Sequence, residues 1–362
     1  MSPAAALASV PARPIVPHAR PSLGPDEEAA ATRVLRSGRL APGAEAARLE
    51  ALVARLSGGA DAVAVASGTL ALTLALRAVG VSPGQEVAVP AYGCAALLHG
   101  VRGAGATPLI ADVDPQTLAI DPDALRRRAG ARLGAIVAVH PFGEAAAIEP
   151  YRAFGLPIVE DAAQSPGATR DARPVGGRGD AAVFSFGPTK LITCGGPGGA
   201  VAAPSVQPVR AARDLARHDE NTDDRPRQNG LMGDLHAAIA AAQIGRLAEI
   251  VARRLAVSRR YDLAFNDLPI SLRRPEPGTQ PVPWRYLIGV RGGAAEAVAA
   301  LQARGVFARA PVWRPLHHLV PGSPPCPGAD MLHATLVSLP LSASFGEAEV
   351  RQVINAVRSC LS

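Results

Sequence analysis

The stretch LPIVEDAAQSPGATRDARPVGGRGDAAVFSFGPTK (residues 156–190) contains two short apolar segments, each followed at once by polar residues. The first segment, at 156–163, includes Asp161, and the second, at 180–188, leads to Lys190. Short apolar runs bounded by Gly and Pro are typical of buried strands. The stretch therefore predicts two strands, one that ends in a carboxylate and one that is followed by an amine.

The same alternation extends toward the N-terminus. We predict strands at 61–67, 85–92, 107–114 and 133–143, and helices at 24–38, 43–58, 69–80, 93–105 and 122–130. Apolar strands that alternate with helices indicate an α/β fold with a mainly parallel central sheet and helices on both faces.

The C-terminal third has a different organisation. The spacing predicts one long helix at 235–265, then a Pro-rich segment, and then the elements of a smaller α/β domain at 284–290, 294–305, 334–341 and 346–361. We place the domain boundary inside the long helix. Residues 1–245 would form an N-terminal arm (1–22) and a large domain, and residues 246–362 a small C-terminal domain.

Composition excludes several classes of protein. The chain has 362 residues, 48% of them hydrophobic, which is enough for a large core and too apolar for a disordered chain. The net charge of +6 is spread along the chain and aromatic residues are only 4%, so a nucleic-acid-binding role is not favoured. The sequence has no membrane-length apolar run, its first residues do not resemble a signal peptide, and its four cysteines lack metal-ligand spacing. We expect a cytoplasmic protein with reduced thiols and no metal.

Lys190 is the only lysine in the chain, because 36 of the 37 basic residues are arginine. A desolvated lysine can lose its proton and form a Schiff base, whereas arginine stays protonated. An isolated lysine is usually a solvated surface residue. Here arginine serves wherever a generic cation is enough, so the single exception indicates a position where an amine is needed.

Two further sites would complement this amine. In ASGTLAL (66–72), a strand ends in a turn at Gly68 and a helix begins near Thr69, which offers backbone N–H groups to an anion. Asp161 stands at the carboxyl end of its strand, where a carboxylate can hold a ring nitrogen in the protonated form; it could equally cap a helix. A phosphate turn, a carboxylate and an amine are together what pyridoxal 5′-phosphate (PLP) requires.

The motifs, in this order, resemble those of the DegT/DnrJ/EryC1/StrS family of PLP-dependent sugar aminotransferases, which have the aspartate aminotransferase (fold type I) architecture. The resemblance covers nearly the full length. It rests on SGTLALTLAL, VAVPAYGCAALLHGVRGAGATPLIADVDPQTLAIDP, IVEDAAQSPGA, FSFGPTK, GDLHAAIAAAQIGRL and the C-terminal SLPL…GEAEVRQVINAV.

The resemblance implies a role for each matching residue. Lys190 would form the Schiff base with PLP, and Asp161 would pair with its ring nitrogen. The remaining implied contacts are Gln164 with the ring, Gly68, Thr69 and Ser185 with the phosphate, Asn229 with the phosphate of the partner subunit, and His317 with the substrate. A homodimer with shared active sites is therefore expected.

Three departures from the family pattern fall around the substrate. At the position of a stacking aromatic, PAYGC leaves Tyr92 and places Cys94 at the second aromatic position. Both are implied cofactor contacts: either Tyr92 stacks on the cofactor, or a sulfur contact from Cys94 replaces the stacking. Leu231 stands where the family has arginine, and GGPGG (195–199) stands where it has GEGG. Because the cofactor residues are intact, these changes indicate PLP chemistry with a less ordinary acceptor.

The resemblance implies transfer of an amino group from an amino acid donor, commonly glutamate or glutamine, to a keto sugar, usually nucleotide-linked, or to a related cyclitol ketone. One alternative is a PLP-dependent sugar dehydratase, against which Lys190 argues, since that branch of the family has histidine in its place. The other is a non-catalytic protein of the same fold that acts as a regulator or partner subunit.

Overall fold

A computed structural model of the chain describes residues 15–219 and 221–362. Its strands are β1 (Asp61–Val65), β2 (Glu86–Pro90), β3 (Thr107–Ala111), β4 (Leu133–Val139), β5 (Ile158–Asp161), β6 (Thr169–Arg170), β7 (Arg173–Pro174), β8 (Ala181–Ser185), β9 (Gly199–Ala203), β10 (Ser271–Leu272), β11 (Thr279–Gln280), β12 (Tyr286–Gly289) and β13 (Leu336–Leu339). Its helices are α1 (Pro25–Ser37), α2 (Ala44–Ser57), α3 (Gly68–Ala78), α4 (Ala96–Gly103), α5 (Pro122–Arg126), α6 (Glu149–Arg152), α7 (Val206–Ala216), α8 (Asp234–Gly245), α9 (Leu247–Phe265), α10 (Ala294–Gln302), α11 (Pro327–Thr335) and α12 (Glu347–Leu361).

The central sheet has seven strands in the order β1-β9-β8-β5-β4-β2-β3. Strands β8, β5, β4, β2 and β3 are parallel neighbours, and β9 runs antiparallel between β1 and β8. The predicted fold class, an α/β fold with a mainly parallel sheet, is confirmed. Strand β9 was not predicted, because its Gly-rich approach (195–199) resembles a loop in sequence.

Both faces of the sheet are covered. In β4 every residue is buried, and alternate side chains enter different cores: Val137 and Val139 pack into the main one, and Ile136 and Ala138 into a second one. A strand with both faces buried reads as a continuous apolar run, which is how LGAIVAV reads. Parallel pairing then brings the polar residues that follow these strands to a single edge of the sheet.

The single long helix predicted at 235–265 is wrong. Helix α8 ends at Gly245 and α9 begins at Leu247, with a bend of 59° between them. Gly245 has low helix propensity, and Arg246 leaves the helical conformation at φ −97° and ψ 3°. The guanidinium of Arg246 is held by Glu27, at 2.8 Å. The break lies beside the predicted domain boundary, and the division into two domains stays a prediction.

The C-terminal part has its own core, formed by α9, α10, α12, β12 and β13, with Tyr261, Phe265 and Val353 fully buried. Of the predicted arm, residues 1–14 lie outside the described residues, and Val16 pairs with Val306 beside this core. Within the described ranges no single helix is long and apolar enough to span a membrane. The bent pair α8–α9, taken together, has sufficient length and apolar composition, and no other feature points to a membrane span there.

Candidate active site

The carboxyl ends of β5 and β8 lie at the same edge of the sheet. Strands β5 and β8 are parallel neighbours, with Asp161 opposite Val183. Beyond β8 the chain makes a turn in which the backbone N–H of Lys190 donates to the carbonyl of Gly187, at 3.0 Å. This turn returns the lysine toward the carboxyl end of β5, so the charges of Asp161 and Lys190 act on each other.

The environment of Lys190 favours its neutral amine. Burial lowers the pKa of Lys190, and the nearby charge of Arg285 lowers it further. Asp161 and the Cys94 thiol act in the opposite direction, without reversing the shift. A lysine with a lowered pKa is a better nucleophile and base near neutral pH than a solvated one.

Asp161 is held in place by the backbone that follows it. Its Oδ1 accepts the N–H of Ala163 at 2.9 Å. Burial raises the pKa of Asp161, and the charge of Lys190 opposes that rise. The alternative role as a helix N-cap is wrong, because the next regular element in the chain is strand β6. The carboxylate is therefore available to a group placed at the sheet edge.

The predicted turn between a strand and a helix is present at Gly68, between β1 and α3. Ser67 caps α3 by accepting the N–H of Leu70 at 3.1 Å, which leaves the first N–H groups of the helix, those of Gly68 and Thr69, without that cap. A Cβ on Gly68 would lie 2.8 Å from the Cβ of Ser185, and one on Gly199 would lie 2.7 Å from the Gly68 nitrogen. Gly68, Thr69 and Ser185 are thus brought together, and glycine is required for the close approach.

Gln164 is anchored rather than free. Its Oε1 accepts the backbone N–H of Phe142 at 2.7 Å. Phe142 itself has a positive φ of 54°, an unfavourable conformation for a bulky residue, and its carbonyl accepts the N–H of Trp284 at 3.3 Å. Backbone strain of this kind is often found at functional sites.

Trp284 is a site residue that sequence reasoning missed. Its Nε1 donates to the carbonyl of Thr189 at 2.8 Å, and its ring centroid lies 4.9 Å from Lys190 Nζ. The indole also stacks on Phe142, with centroids 6.2 Å apart and planes 13° apart. Trp284 lies in a Pro-rich segment, 94 residues after the lysine. The only sequence signal that could have identified it is that the chain has just two tryptophans.

Tyr92 and Cys94 follow β2 at the same edge. Tyr92 is buried, and its ring centroid lies 6.2 Å from that of Phe142, with planes at 56°. Burial raises the pKa of the Tyr92 phenol, so the ring stays neutral. Cys94 is exposed, yet close enough for its thiol to act on Lys190. Of the two predicted residues, Cys94 therefore lies near Lys190 itself, and Tyr92 packs against Phe142.

A buried carboxylate beside Asp161 was also missed. Glu160 accepts hydrogen bonds from His140 Nε2 (2.8 Å) and from the backbone N–H groups of Gly176 (2.9 Å), Arg178 (2.6 Å) and Gly179 (2.5 Å). Burial raises the pKa of Glu160, but these donors outweigh it and hold the pKa below its usual value. Glu160 thus fixes the segment that leads into β8.

Asn229 is exposed, next to Gly230, whose carbonyl accepts the N–H of Ala66 at 2.8 Å, just before the Gly68 turn. Leu231, where the resemblance implies an arginine, pairs with Val65 and packs against the main core. No cation occupies that position.

His317 is buried close to the carboxyl end of β2, since the N–H of Leu316 donates to the carbonyl of Ala91 at 2.7 Å. Its Nε2 lies 3.1 Å from Asp330, and the same carboxylate oxygen lies 2.8 Å from His318. The implied contact of His317 with substrate stays a prediction.

The residues at this edge fit PLP. The turn at Gly68 offers the N–H groups that begin α3 to a phosphate, Asp161 offers a carboxylate for a ring nitrogen, and Lys190 offers an amine for an aldehyde. The assignment of individual contacts to these residues stays a prediction.

The chain is similar to known proteins over nearly its full length. A model of the DegT/DnrJ/EryC1/StrS aminotransferase family matches residues 21–358. DesV of S. venezuelae, solved in complex with a ketimine intermediate, is 32% identical and superposes with a TM-score of 0.86, over 92% of this chain and 93% of that one.

Two further structures have the same fold. The aminotransferase TlmJ from Streptoalloteichus hindustanus is 29% identical, with a TM-score of 0.87 over 95% of this chain and 98% of that one. The PLP form of the putative sugar aminotransferase Spr1654 from Streptococcus pneumoniae is 23% identical, with a TM-score of 0.88 over 96% and 100%.

Proposed function

This chain belongs to the DegT/DnrJ/EryC1/StrS family and is a PLP-dependent aminotransferase, and we propose that it transfers an amino group from glutamate or glutamine to a nucleotide-linked keto sugar. In general terms the family implies an amino acid donor and a keto sugar acceptor. The nucleotide, the choice of donor and the roles of individual residues belong to the proposal.

The observation that carries the proposal is the electrostatic interaction of Lys190 with Asp161, two residues near the carboxyl ends of the neighbouring strands β8 and β5. The only lysine of the chain lies within electrostatic reach of the half-buried carboxylate of Asp161, which ends β5, and the lysine follows the neighbouring strand β8. A surface lysine would have neither the lowered pKa nor this partner.

We assign the roles accordingly. PLP, when bound, supplies a ring that accepts the electron pair of the donor's Cα–H bond. Asp161 would pair with the ring nitrogen and keep its positive charge, and the charge of Lys190 favours the negative form of Asp161 against the effect of burial. Lys190 Nζ would hold the cofactor through its aldehyde and, once displaced by the donor's amine, would act as the base that takes the proton from the donor's Cα.

The surrounding residues would orient the cofactor and exclude water from it. The first turn of α3, together with Ser185, would hold the phosphate. Trp284 and Phe142 form an apolar wall beside the amine. Gln164, tied to Phe142, would face the ring.

We further propose a homodimer in which Asn229 reaches the phosphate of the other copy. In support, Asn229 is exposed on a segment hydrogen-bonded beside the Gly68 turn, so the residue is free to cross to another chain.

Absorbance spectroscopy tests the function. The purified protein with PLP should show the band of lysine-bound cofactor, and glutamate or glutamine should abolish it. Borohydride reduction should attach the cofactor to the peptide that contains Lys190, which a single lysine makes unambiguous. Lys190→Arg should lose the band, while Arg291→Lys, at an exposed position in the small domain, provides a lysine elsewhere and should change nothing. Amino transfer by Lys190→Arg would contradict the proposal.

A further inference from the structure

A cleft of about 680 Å³ has in its lining Arg285, the residue that follows Trp284 in the chain. Its lining includes His18, Arg285, Phe307, Arg309 and Trp313. Trp313 is 92% exposed, which is unusual for a tryptophan. We call this the Arg285–Arg309 cleft, after the two guanidinium groups that line it.

Arg285 carries a charge that no carboxylate balances. Its Nη1 donates to His18 Nδ1 at 2.9 Å, and burial together with Arg285 and Arg309 lowers the pKa of His18 to about 3. The histidine is therefore neutral near pH 7. Among the residues that the structure describes, no carboxylate lies within ion-pair distance of Arg285, whose own pKa is lowered to about 10 by burial and by Arg309.

Arg285 also adjoins the catalytic lysine. The guanidinium carbon lies 4.1 Å from the centroid of the Trp284 ring, and Lys190 Nζ lies 4.9 Å from the same centroid. The two groups are therefore no more than about 9 Å apart, the sum of these distances. Within this upper limit, one molecule can have its reacting carbon at the lysine and its carboxylate at the arginine.

Arg309 adds a second cation to the same cleft. It is exposed, and its guanidinium carbon lies 4.8 Å from the ring centroid of Phe307. It is close enough to Arg285 to lower that residue's pKa. Two like charges that repel each other and face one cleft favour a ligand with two negative groups.

We propose that the Arg285–Arg309 cleft binds the amino donor by its carboxylates, with the α-carboxylate on Arg285 and the distal carboxylate on Arg309. A planar guanidinium can hold a carboxylate through two parallel hydrogen bonds, which fixes the donor's orientation. The preferred donor is then the dicarboxylate glutamate and not glutamine. This inference rests on the proposed aminotransferase function and specifies its donor.

The test is the donor half-reaction of the PLP-loaded enzyme, followed by rapid-mixing absorbance with glutamate and with glutamine. Arg285→Gln should reduce the second-order rate constant about 100-fold for both donors, because both have the α-carboxylate. Arg309→Gln should reduce it about tenfold for glutamate and leave glutamine within twofold. The exposed Arg291→Gln removes the same charge from the small domain and should change neither.

A binding measurement separates failure of this inference from failure of the proposed function. Glutarate has two carboxylates but neither amine nor ketone, so calorimetry with the PLP-loaded protein reports the cleft without transamination. Arg285→Gln and Arg309→Gln should each weaken glutarate binding at least about tenfold, and Arg291→Gln should not.

Several outcomes would overturn the inference. One is donor rate constants in Arg285→Gln within threefold of the wild-type values, and another is equal effects of Arg309→Gln on glutamate and glutamine. A wild-type protein that does not bind glutarate would also refute it. If glutarate binds as expected but neither donor abolishes the cofactor band, the aminotransferase proposal fails and the carboxylate site stands.

Discussion

The indole of Trp284 donates a hydrogen bond of 2.8 Å to the carbonyl of Thr189, the residue before Lys190. This bond joins the segment that enters β12 to the turn that carries Lys190. It connects two regions of the chain that no local sequence pattern relates. It also fixes the position of the indole ring beside the amine of Lys190.

Trp284→Phe should loosen that turn. Phenylalanine keeps a ring against Phe142 but has no donor for Thr189, so the variant should lose about 1 kcal/mol of unfolding free energy in urea. It should also weaken PLP binding. The other tryptophan provides the control: Trp313 is 92% exposed, and Trp313→Phe should unfold as the wild type does. Equal stability of the two variants would show that the bond to Thr189 does not hold the turn.

Gly68→Ala should impair the phosphate turn. Its Cβ would lie 2.8 Å from the Cβ and 2.9 Å from the Oγ of Ser185, so either β8 or the start of α3 must shift. An overlap of this kind costs about 1–3 kcal/mol, and we expect the dissociation constant of PLP to rise about tenfold or more in a fluorescence titration.

Gly245 provides the matched substitution. It ends helix α8, and nothing lies within 4 Å of a Cβ built there. Gly245→Ala should therefore leave PLP affinity unchanged and raise stability slightly, because alanine has the higher helix propensity. If Gly68→Ala binds PLP as tightly as Gly245→Ala does, the phosphate does not sit at this turn.

The sequence predicted those parts of the site that depend on local patterns. Asp161 and Lys190 follow apolar strands, and Gly68 stands between a strand and a helix, so the ends of parallel strands bring them to one edge. Trp284 reaches the site from 94 residues away, through contacts that only tertiary packing creates. The helix break at Arg246 was missed because apolar spacing continues through it, whereas a tertiary ion pair with Glu27 holds the bend.

Glu160 should contribute stability that depends on pH. Its folded-state pKa is below the usual 4.5, so its contribution is full above that value and is lost as pH falls through the folded pKa. Glu160→Gln keeps the size but replaces an acceptor with an NH₂ that faces backbone donors. We expect a loss of about 3 kcal/mol at pH 7 in urea unfolding, which shrinks toward pH 3 as the wild-type carboxylate protonates.

Glu28 is exposed in α1, so Glu28→Gln removes the same charge without breaking a buried network. It should leave stability within about 0.5 kcal/mol of the wild type at both pH values. A constant difference between Glu160→Gln and the wild type from pH 7 to pH 3 would show that ionisation of Glu160 does not stabilise the fold.

The titration of Lys190 gives the most direct view of the site. Because it is the only lysine, labelling with ¹³C and ¹⁵N lysine gives the side chain a single NMR signal in the protein without PLP. Its midpoint should lie below the usual 10.5, since burial lowers the pKa and Asp161 only partly offsets this. Asp161→Asn removes that offset and should lower the midpoint further. Asp267→Asn, at an exposed carboxylate paired with Arg358 at 2.7 Å, should not move it. A midpoint that stays or rises in Asp161→Asn would mean that the two groups do not act on each other, and the assignment of Asp161 and Lys190 as a catalytic pair would be wrong.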